Sequence, residues 1–502
     1  MSDGPFLIAS CEHCAQHIEF PAHGSGARVS CPHCGSETIL LAELAEAAAP
    51  AEEITAAELK EALSGVLPRS RISIFYQAGL LLVAIFMILL PIAYVGVAAL
   101  AAYGVYWYAS HGRVFFSNFI GGIYVLIFKA ILYLAPIIGG TVGVFFMFKP
   151  IFARPRKQAP PVELNPAEHP RLYQFIAHIG DLLRVRVPKR IYLDGNLNAS
   201  AGFRRGWLSL LGNDLVLTLG LPLVGGLNTR QLAALVAHEL GHCTQALAMR
   251  LGYIIDSIDR WFLRVVYERD SWDDSFDEWV NSVEDWRLSI ITGCAQFSIW
   301  VSRLVLGLFM RVGHAASCFL SRQMEFHADS CAMAVAGSQG VESLLLRSRE
   351  QSVIEQMSYA VLVTAWKRRH QMPDNLPGFL EEFERRLPPD FYEKARLTLL
   401  NEKAGLFATH PTAAQRIQKA RRKAVAGLFV MEKPARCLFK DFETTARFVT
   451  ARHYRYNLRM AVTDPMLKPV REFFRQEGLA GSEPKTIPLK TYKVPFGGTK
   501  SS

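Results

Sequence analysis

Two long stretches almost without charge constrain this chain more than any other feature. Residues 75–108 contain no Asp, Glu, Lys or Arg, and residues 119–148 contain only Lys129. A membrane-spanning helix needs about 20 apolar residues, and a lysine near its end can extend its charged head to the membrane surface. The pattern therefore predicts a transmembrane helical hairpin within residues 71–157, kinked at Pro91. Two alternatives stay open: a hairpin buried in a protein core, and a first stretch divided into two short spans.

The charge distribution predicts how this hairpin is oriented. Its outer flanks carry five cations: Arg69, Arg71, Arg154, Arg156 and Lys157. The connection between the two stretches carries only Arg113. Because cytoplasmic loops are enriched in Lys and Arg, both ends of the hairpin and the rest of the chain are expected in the cytoplasm. We therefore expect an integral membrane protein, of the inner (cell) membrane if the source is bacterial.

Composition narrows the class of protein further. Half of the 502 residues are hydrophobic, the formal net charge is +10, and there are nine cysteines. An odd number of cysteines without a dense framework argues against a secreted disulfide scaffold and favours a reducing compartment. Many cations lie beside the hydrophobic block or in residues 416–423, a layout that favours contact with membrane lipid over a nucleic-acid groove. No nucleic-acid partner is expected.

Residues 1–40 carry two C-x-x-C pairs. The four cysteines are Cys11, Cys14, Cys31 and Cys34, with 16 residues between the pairs. Two such turns can complete a tetrahedral structural zinc site, and the interval is typical of a zinc ribbon. A segment this short buries too little apolar surface to fold alone, so the metal would supply the folding energy. The sequence predicts a zinc-ribbon-like module here, and a redox role for the pairs is the weaker alternative.

The motif H-E-L-G-H at residues 238–242 carries the most chemical information. Its neighbours have helical periodicity, and a spacing of four places the imidazoles of His238 and His242 on one helix face, where both can bind one Zn²⁺. Glu239 then lies where it can accept a proton from a water that zinc has made more acidic. Two surface histidines on an ordinary helix are the alternative, which the apolar neighbours disfavour.

A catalytic zinc takes three protein ligands, so one more ligand must come from elsewhere. The best candidate lies in residues 321–329, where Glu325 and Asp329 are four residues apart and share a helix face. Glu325 can bind the metal while Asp329 accepts a hydrogen bond from a ligand imidazole and fixes its tautomer. His327 points nearly the opposite way and competes poorly. Without the first motif, this pair is equally well explained as a solvated charged face.

These motifs, with Thr409-His410-Pro411 and the later Arg416, occur in the order of a known family. Over roughly residues 162–424 the sequence resembles the HtpX and CAAX prenyl protease type I family of integral-membrane zinc metallopeptidases of the gluzincin type. The resemblance implies a mainly α membrane protein, in which a helical zincin catalytic domain with a small β-sheet follows the hairpin. The N-terminal ribbon is not part of the enzymes that name the family.

The resemblance also implies roles for single residues. It gives His238, His242 and Glu325 as zinc ligands, Glu239 as general base and Asp329 as support for a ligand imidazole. His410 would stabilise the oxyanion of the tetrahedral intermediate, and Arg416 would help to order the site. Asn198 and Ala199 would belong to a strand that pairs with an extended substrate.

Five domains are expected. They are residues 1–40 (zinc-ribbon-like module), 41–70 (Ala/Glu-rich linker), 71–157 (transmembrane hairpin), 158–440 (catalytic domain) and 441–502 (C-terminal extension and disordered tail). Residues 251–286 are rich in Asp and Glu and are not expected to cross a bilayer. Residues 290–310 are apolar apart from Arg303, and we expect a buried or interfacial helix there rather than a third span.

The sequence therefore predicts a membrane-anchored zinc metalloendopeptidase with one catalytic and one structural Zn²⁺. It would hydrolyse membrane-associated or unfolded proteins at the cytoplasmic membrane face. A non-enzymatic membrane adaptor with structural zinc sites is the alternative, but it predicts a substituted Glu239 or a missing third ligand. A nucleic-acid-binding regulator is disfavoured because residues 11–34 contain one arginine and no lysine. Substrate, cleavage specificity, oligomeric state and the number of spans do not follow from the sequence.

Overall fold

The computed structural model of the chain describes most of the sequence in separate ranges. These are residues 6–10, 17–21, 28–39, 54–67, 74–112, 122–152, 161–204, 214–244, 246–267, 278, 286–402 and 410–477. Cys11, Cys14, most of the expected linker, the cations that flank the hairpin, Arg113 and the tail after residue 477 lie outside the described residues.

Two small antiparallel hairpins begin the chain. Strand β1 (Phe6–Ser10) pairs with β2 (His17–Pro21), and β3 (Arg28–Ser30) pairs with β4 (Glu37–Ile39). In the turn of the second hairpin Cys31 is buried, its N–H donates to the Ser36 carbonyl at 2.8 Å, and its Sγ accepts from the N–H of His33 at 3.4 Å. The four-cysteine zinc site stays a prediction, because its first pair is not described.

The expected hairpin is present as two long helices. After the short helix α1 (Ala56–Ala62) come α2 (Ile74–His111), which runs unbroken through Pro91, and α3 (Ile123–Phe152). Both are long and apolar enough to cross a membrane. Leu82 and Leu100 of α2 are 67% and 69% exposed, so the outer face of the hairpin is not part of a protein core. The mainly helical membrane fold is therefore confirmed, and one continuous first helix replaces the alternative of two short spans.

A small sheet with one packed helix follows the hairpin. Helix α4 (Pro170–Leu183) is amphipathic and buries its apolar face against the sheet. The strands are β5 (Val162–Glu163), β6 (Arg190–Asp194), β7 (Ala199–Phe203) and β8 (Leu215–Gly220), in the spatial order β5-β6-β8-β7. Only β6 and β8 are parallel neighbours. The apolar residues of β8 are buried on both faces, as expected for an inner strand. The strand order places β7 at an edge of this sheet.

The central helix of the described fold is α6. It follows α5 (Leu221–Gly225) and spans Thr229–Gly241. Asn228 caps it: its side chain accepts from the Gln231 N–H, and the Gln231 side chain accepts from the Asn228 N–H. Leu232 and Val236 are fully buried, and each such side chain contributes roughly 1.5–3 kcal/mol relative to an exposed one. This packing fixes the direction in which the last turn of α6 points.

Two further helices follow α6 in the chain. Helix α7 (Ala246–Tyr267) packs against α2, and α8 (Trp286–Arg369) packs against α3 and α6. Helix α8 breaks at Gly337, whose φ of 80° lies in the left-handed region. A Cβ there would lie 2.2 Å from the Ala426 carbonyl oxygen, so glycine is required both by conformation and by space.

The first part of α8 narrows the expectation of a buried or interfacial helix. Among the described helices it is the third one long and apolar enough to span a membrane. Phe297 and Leu308 are 63% and 58% exposed, which excludes burial in a protein core and leaves an interfacial helix or a third span. Its other face lies very close to α3, because a Cβ on Gly139 would be 2.7 Å from the Cβ of Cys294. Such close contact of small residues is typical of helices packed within membranes.

The chain after α8 forms a second helical cluster. Its regular elements are β9 (Met372–Pro373), α9 (Leu376–Glu384), α10 (Phe391–Leu400), α11 (Ala413–Lys423), α12 (Phe442–Arg452), β10 (Leu467–Lys468) and α13 (Val470–Gln476). Phe379 of α9 and Phe474 of α13 stack with ring centroids 5.3 Å apart, and both are buried. Helix α13 is thus packed into the fold, while the predicted domain limits remain predictions.

Candidate active site

Two helices bring three potential metal ligands together. His238 and His242 lie in and just after the last turn of α6, and Glu325 lies on the face of α8 that packs against it. The Nε2 atom of His238 is 3.4 Å from one Glu325 carboxylate oxygen, and the Nε2 atom of His242 is 3.6 Å from the other. The three ligand atoms all lie within 4.8 Å of one another. His238 and Glu325 are buried, so this cluster is not a chance meeting of solvated side chains.

The spacing of these atoms fits a tetrahedral zinc ion. Zinc binds imidazole nitrogen and carboxylate oxygen at about 2.0–2.2 Å, which places neighbouring ligand atoms about 3.3–3.6 Å apart in a tetrahedron. The separations of 3.4 and 3.6 Å are of this size, and they join the two histidines to the two different oxygens of Glu325. Two histidines and one carboxylate are also a donor set that catalytic zinc sites use, with one position left for water or substrate.

His238 is held on its other side by a buried carboxylate. Its Nδ1 lies 3.1 Å from Asp329, four residues after Glu325 on α8. Arg416 of α11 donates to the same carboxylate from Nε at 2.9 Å and from Nη2 at 2.6 Å. Burial alone would raise the pKa of Asp329, but the hydrogen bonds from His238 and Arg416 outweigh it and hold the pKa below its usual value. A charged Asp329 keeps the proton of His238 on Nδ1 and directs Nε2 toward Glu325.

The two histidines respond differently to this environment. Burial alone would lower the pKa of His238, but its hydrogen bonds to Asp329 and Glu325 outweigh burial and raise the pKa to about 9. Burial and the nearby charge of His238 lower the pKa of His242 to about 4. A ligand imidazole must be neutral: His242 already offers a free lone pair, whereas His238 must give up the Nε2 proton that it shares with Glu325 before it can bind a metal.

Glu239 lies beside the ligands and contacts the sheet. One of its carboxylate oxygens accepts a hydrogen bond from the Ala201 N–H of β7 at 3.1 Å. Burial raises the pKa of Glu239, and His238 and the Ala201 N–H act in the opposite direction without cancelling this effect. A carboxylate with a raised pKa is a better general base near neutral pH than an ordinary one.

His410 lies at the mouth of the cluster. Its Nδ1 is 3.1 Å from a Glu325 oxygen, and its side chain is 62% exposed. The hydrogen bond to Glu325 raises the pKa of His410, while partial burial opposes the shift. Thr409, which precedes His410 in the Thr409-His410-Pro411 motif, lies outside the described residues. A partly exposed cation here can reach a substrate oxygen as well as Glu325.

The remaining predicted site residues lie near, but not in, this cluster. Asn198 precedes β7 and its carbonyl accepts from the Gly220 N–H at 2.8 Å, while Ala199 is the first residue of β7. His327 bonds Thr244 at 2.9 Å and is not part of the metal cluster. Sequence reasoning missed the Ala201 contact, since only the sheet register places that N–H against the end of α6.

A cavity of about 450 Å³ opens directly beside the cluster. His242, Glu325 and His410 form part of its wall. Ala201 and neighbouring residues of β7 line the same space. A bound polypeptide would therefore reach two of the three ligands, His410 and the edge strand from one opening.

Comparison with known proteins decides the family of this site. The sequence model of Peptidase family M48 matches residues 168–424, just over half of the chain. The chain belongs to peptidase family M48. The ligand cluster, Glu239 and Arg416 of this M48 peptidase all lie inside the matched residues. The resemblance to the HtpX family that the motifs indicated is therefore confirmed. Family membership makes the chain a peptidase, and M48 metallopeptidases use zinc.

Curated relatives agree with this assignment. The M48 peptidase is 26% identical over 251 residues to protease HtpX of Acinetobacter baylyi, strain ATCC 33305 / BD413 / ADP1. The same identity and length apply to protease HtpX of Acinetobacter baumannii, strain AYE. In both cases the alignment covers 49% of this chain and 69% of the relative. No solved structure matches the chain significantly.

Proposed function

We propose that this M48 peptidase is a membrane-anchored zinc endopeptidase that hydrolyses peptide bonds at the cytoplasmic membrane face. The observation that carries the proposal is the His238, His242 and Glu325 cluster, whose ligand atoms all lie within 4.8 Å of one another, close enough to share one metal ion. Glu239 adjoins it as the only acidic residue of the H-E-L-G-H motif. A merely structural zinc site would not need a buried carboxylate beside its ligands.

In the proposed mechanism each residue has one task. Bound zinc supplies a Lewis acid, which polarises a substrate carbonyl and makes water more acidic. Glu239 accepts the proton of the attacking water and passes it to the leaving amine. The Ala201 N–H orients that carboxylate, and His410 donates a hydrogen bond to the developing oxyanion. Asp329 and Arg416 keep His238 in the tautomer that a ligand needs.

The edge strand β7 is the proposed guide for the substrate main chain. Strand β8 occupies one side of β7, and no strand among the described residues pairs with its other side. Asn198 and Ala199 lie at the start of this edge strand. An extended peptide can add to such an edge through main-chain hydrogen bonds, which do not depend on sequence. This mode favours unfolded or extended segments of membrane-associated proteins as substrates.

The N-terminal cysteines are proposed to hold a second, structural zinc. The β3–β4 turn supports this, because the buried Cys31 Sγ already accepts an N–H from His33, a contact that suits a thiolate. Cys34 follows in the same turn, and Cys11 and Cys14 would complete the site. The site would fold the module and take no part in hydrolysis.

Proteolysis of an unfolded reporter tests the proposed activity. The detergent-purified, zinc-loaded chain is expected to cleave casein, and Glu239→Gln is expected to bind the same amount of zinc and to cleave at least 100-fold more slowly. Glu393→Gln, on the exposed side of α10, is the matched control and should cleave like the unchanged protein. Equal cleavage by Glu239→Gln would contradict the general-base role. Full zinc binding without any cleavage would favour a membrane adaptor.

A further inference from the structure

The cavity beside the ligand cluster has a mainly apolar wall. Helices α2, α7 and α8 and strand β7 each contribute apolar side chains, among them Leu80, Phe203, Ile255 and Leu320. The volume of about 450 Å³ is enough for one large side chain with the main chain that carries it. An apolar wall alone would select simply for hydrophobic substrate residues.

One buried carboxylate interrupts this wall. Asp259 of α7 is only 13% exposed, and its Oδ2 accepts a hydrogen bond from the Ser317 hydroxyl of α8 at 2.8 Å. Its Oδ1 is buried and has no hydrogen-bond partner among the residues the structure describes. A buried carboxylate oxygen without a donor is costly, so a cationic donor from a ligand would be stabilised there.

The other charged groups of the cavity do not cancel this carboxylate. Asp256 and Arg260 also line it, but they form an ion pair with each other at 2.5 Å. His314 of α8 lies nearby, and its Nδ1 is 4.0 Å from Asp259, beyond hydrogen-bond distance. The remaining imidazoles and Glu325 belong to the ligand cluster. Among the described residues Asp259 is therefore the carboxylate of this cavity, outside the ligand cluster, that forms no ion pair with a lysine or arginine.

Asp259 lies within reach of a substrate residue close to the cleaved bond. Its partner Ser317 and the ligand Glu325 are both on α8, eight residues apart, which corresponds to about 12 Å along a helix. A residue one or two positions from the scissile carbonyl supplies about 3–7 Å of this distance through its backbone. A long side chain covers the rest, whereas a short one does not.

We propose that this cavity is the specificity pocket of the peptidase and that it receives a lysine or arginine side chain next to the cleaved bond. The aliphatic stem would lie along the apolar wall, and the cationic head would pair with Asp259. Only these two side chains combine the required length, the apolar stem and the charge. The inference rests on the proposed peptidase function and adds a substrate class to it.

Matched peptides test the pocket. A fluorogenic peptide carrying lysine near the cleaved bond is compared with one carrying norleucine, which has the same stem without the charge, at positions on both sides of the bond. The full zinc-loaded chain is expected to prefer lysine in kcat/KM by about tenfold or more at one position. Asp259→Asn is expected to remove that preference by slowing lysine cleavage while leaving norleucine cleavage within about twofold.

Two control variants separate recognition from a structural effect. Asp256→Asn, in the ion pair at the same cavity, should keep the lysine preference. Ser317→Ala removes a donor to Asp259 but keeps its charge, and should also keep the preference. Equal loss of cleavage for both peptides in Asp259→Asn, or no lysine preference in the unchanged chain, would overturn the proposal.

A binding experiment keeps the pocket testable even without turnover. Glu239→Gln and the double variant Glu239→Gln/Asp259→Asn are titrated with the fluorescent lysine peptide. The double variant should bind at least tenfold more weakly, with no difference for norleucine. Equal affinities would overturn the pocket. If the unchanged protein cleaved neither peptide but the two variants still differed in their affinity for the lysine peptide, the result would count against the peptidase function and not against the pocket.

Discussion

At the scale of single residues, the site depends on a chain of buried hydrogen bonds behind His238. Arg416 holds Asp329, Asp329 holds the Nδ1 of His238, and the Nε2 of His238 faces Glu325. Every link is needed, because a rotated imidazole or the wrong tautomer offers the metal no lone pair. Arg416 was assigned to the site by resemblance, and the geometry supplies a physical reason for that assignment.

Replacing Asp329 tests this chain of contacts. Asp329→Asn keeps the size of the side chain but removes the charge that orients His238. The expected result is a zinc affinity lower by about 10–100-fold with the fold retained, measured by competition with a chelator of known affinity. Asp390→Asn, an exposed change at the start of α10, is the control and should leave zinc affinity unchanged. Unchanged affinity in Asp329→Asn would show that His238 needs no such support.

At the scale of elements, the two parts of helix α8, before and after Gly337, have different roles. The part before the break carries Glu325 and Asp329, and the break turns the helix under residues 425–428, where the Ser338 N–H bonds the Val425 carbonyl at 2.8 Å. This contact packs the chain that follows α11 against α8. Arg416 thereby keeps a fixed position relative to Asp329.

A glycine substitution at the break tests its structural role. Gly337→Ala is expected to destabilise the protein by about 1–3 kcal/mol, because a positive φ strains alanine and the Cβ meets the Ala426 carbonyl. Thermal unfolding in detergent measures the change. Gly293→Ala lies in the same helix, where an added Cβ meets nothing within 4 Å, and should be neutral or slightly stabilising. Equal unfolding temperatures for both variants would contradict the account of the break.

The sequence predicts some elements better than others for definite reasons. The hairpin and α6 were predictable because long uncharged stretches and the spacing in H-E-L-G-H are local signals. The first part of α8 was hard to place because Arg303 interrupts its apolar run, and a single cation decides neither for nor against a membrane span. The break at Gly337 and the pairing of Asp259 with Ser317 depend on contacts between distant segments, which no local pattern encodes.

At the scale of the whole molecule, the site itself limits how the chain can cross a membrane. His242 and Glu325 meet at one cluster, so the residues between them must cross an even number of times. Cys294 of α8 packs against Gly139 in the middle of α3, which places this part of α8 at membrane depth. We infer that helix α7, whose 22 residues measure about 33 Å, provides the second crossing, although its charged residues leave it outside the three described helices that are apolar enough to span a membrane.

This topology differs from the expectation that residues 251–286 stay on one side. Reporter fusions that are active on only one side of the membrane can be placed after residues 118 and 276 and at the C-terminus. We expect the first two to report the same side and the C-terminus to report the opposite one, the cytoplasm. A fusion after residue 276 that reports the cytoplasm would show that neither α7 nor α8 crosses.

The central claim is that His238, His242 and Glu325 hold a zinc ion separate from the one at the cysteine pairs. Metal content per chain, measured on the purified protein and on His238→Ala and Cys31→Ser, tests it most directly. We predict about two zinc ions in the unchanged protein and about one in each variant, with casein cleavage lost only in His238→Ala. An unchanged zinc content in His238→Ala would contradict the account, because the cluster at the end of α6 would then not be a metal site.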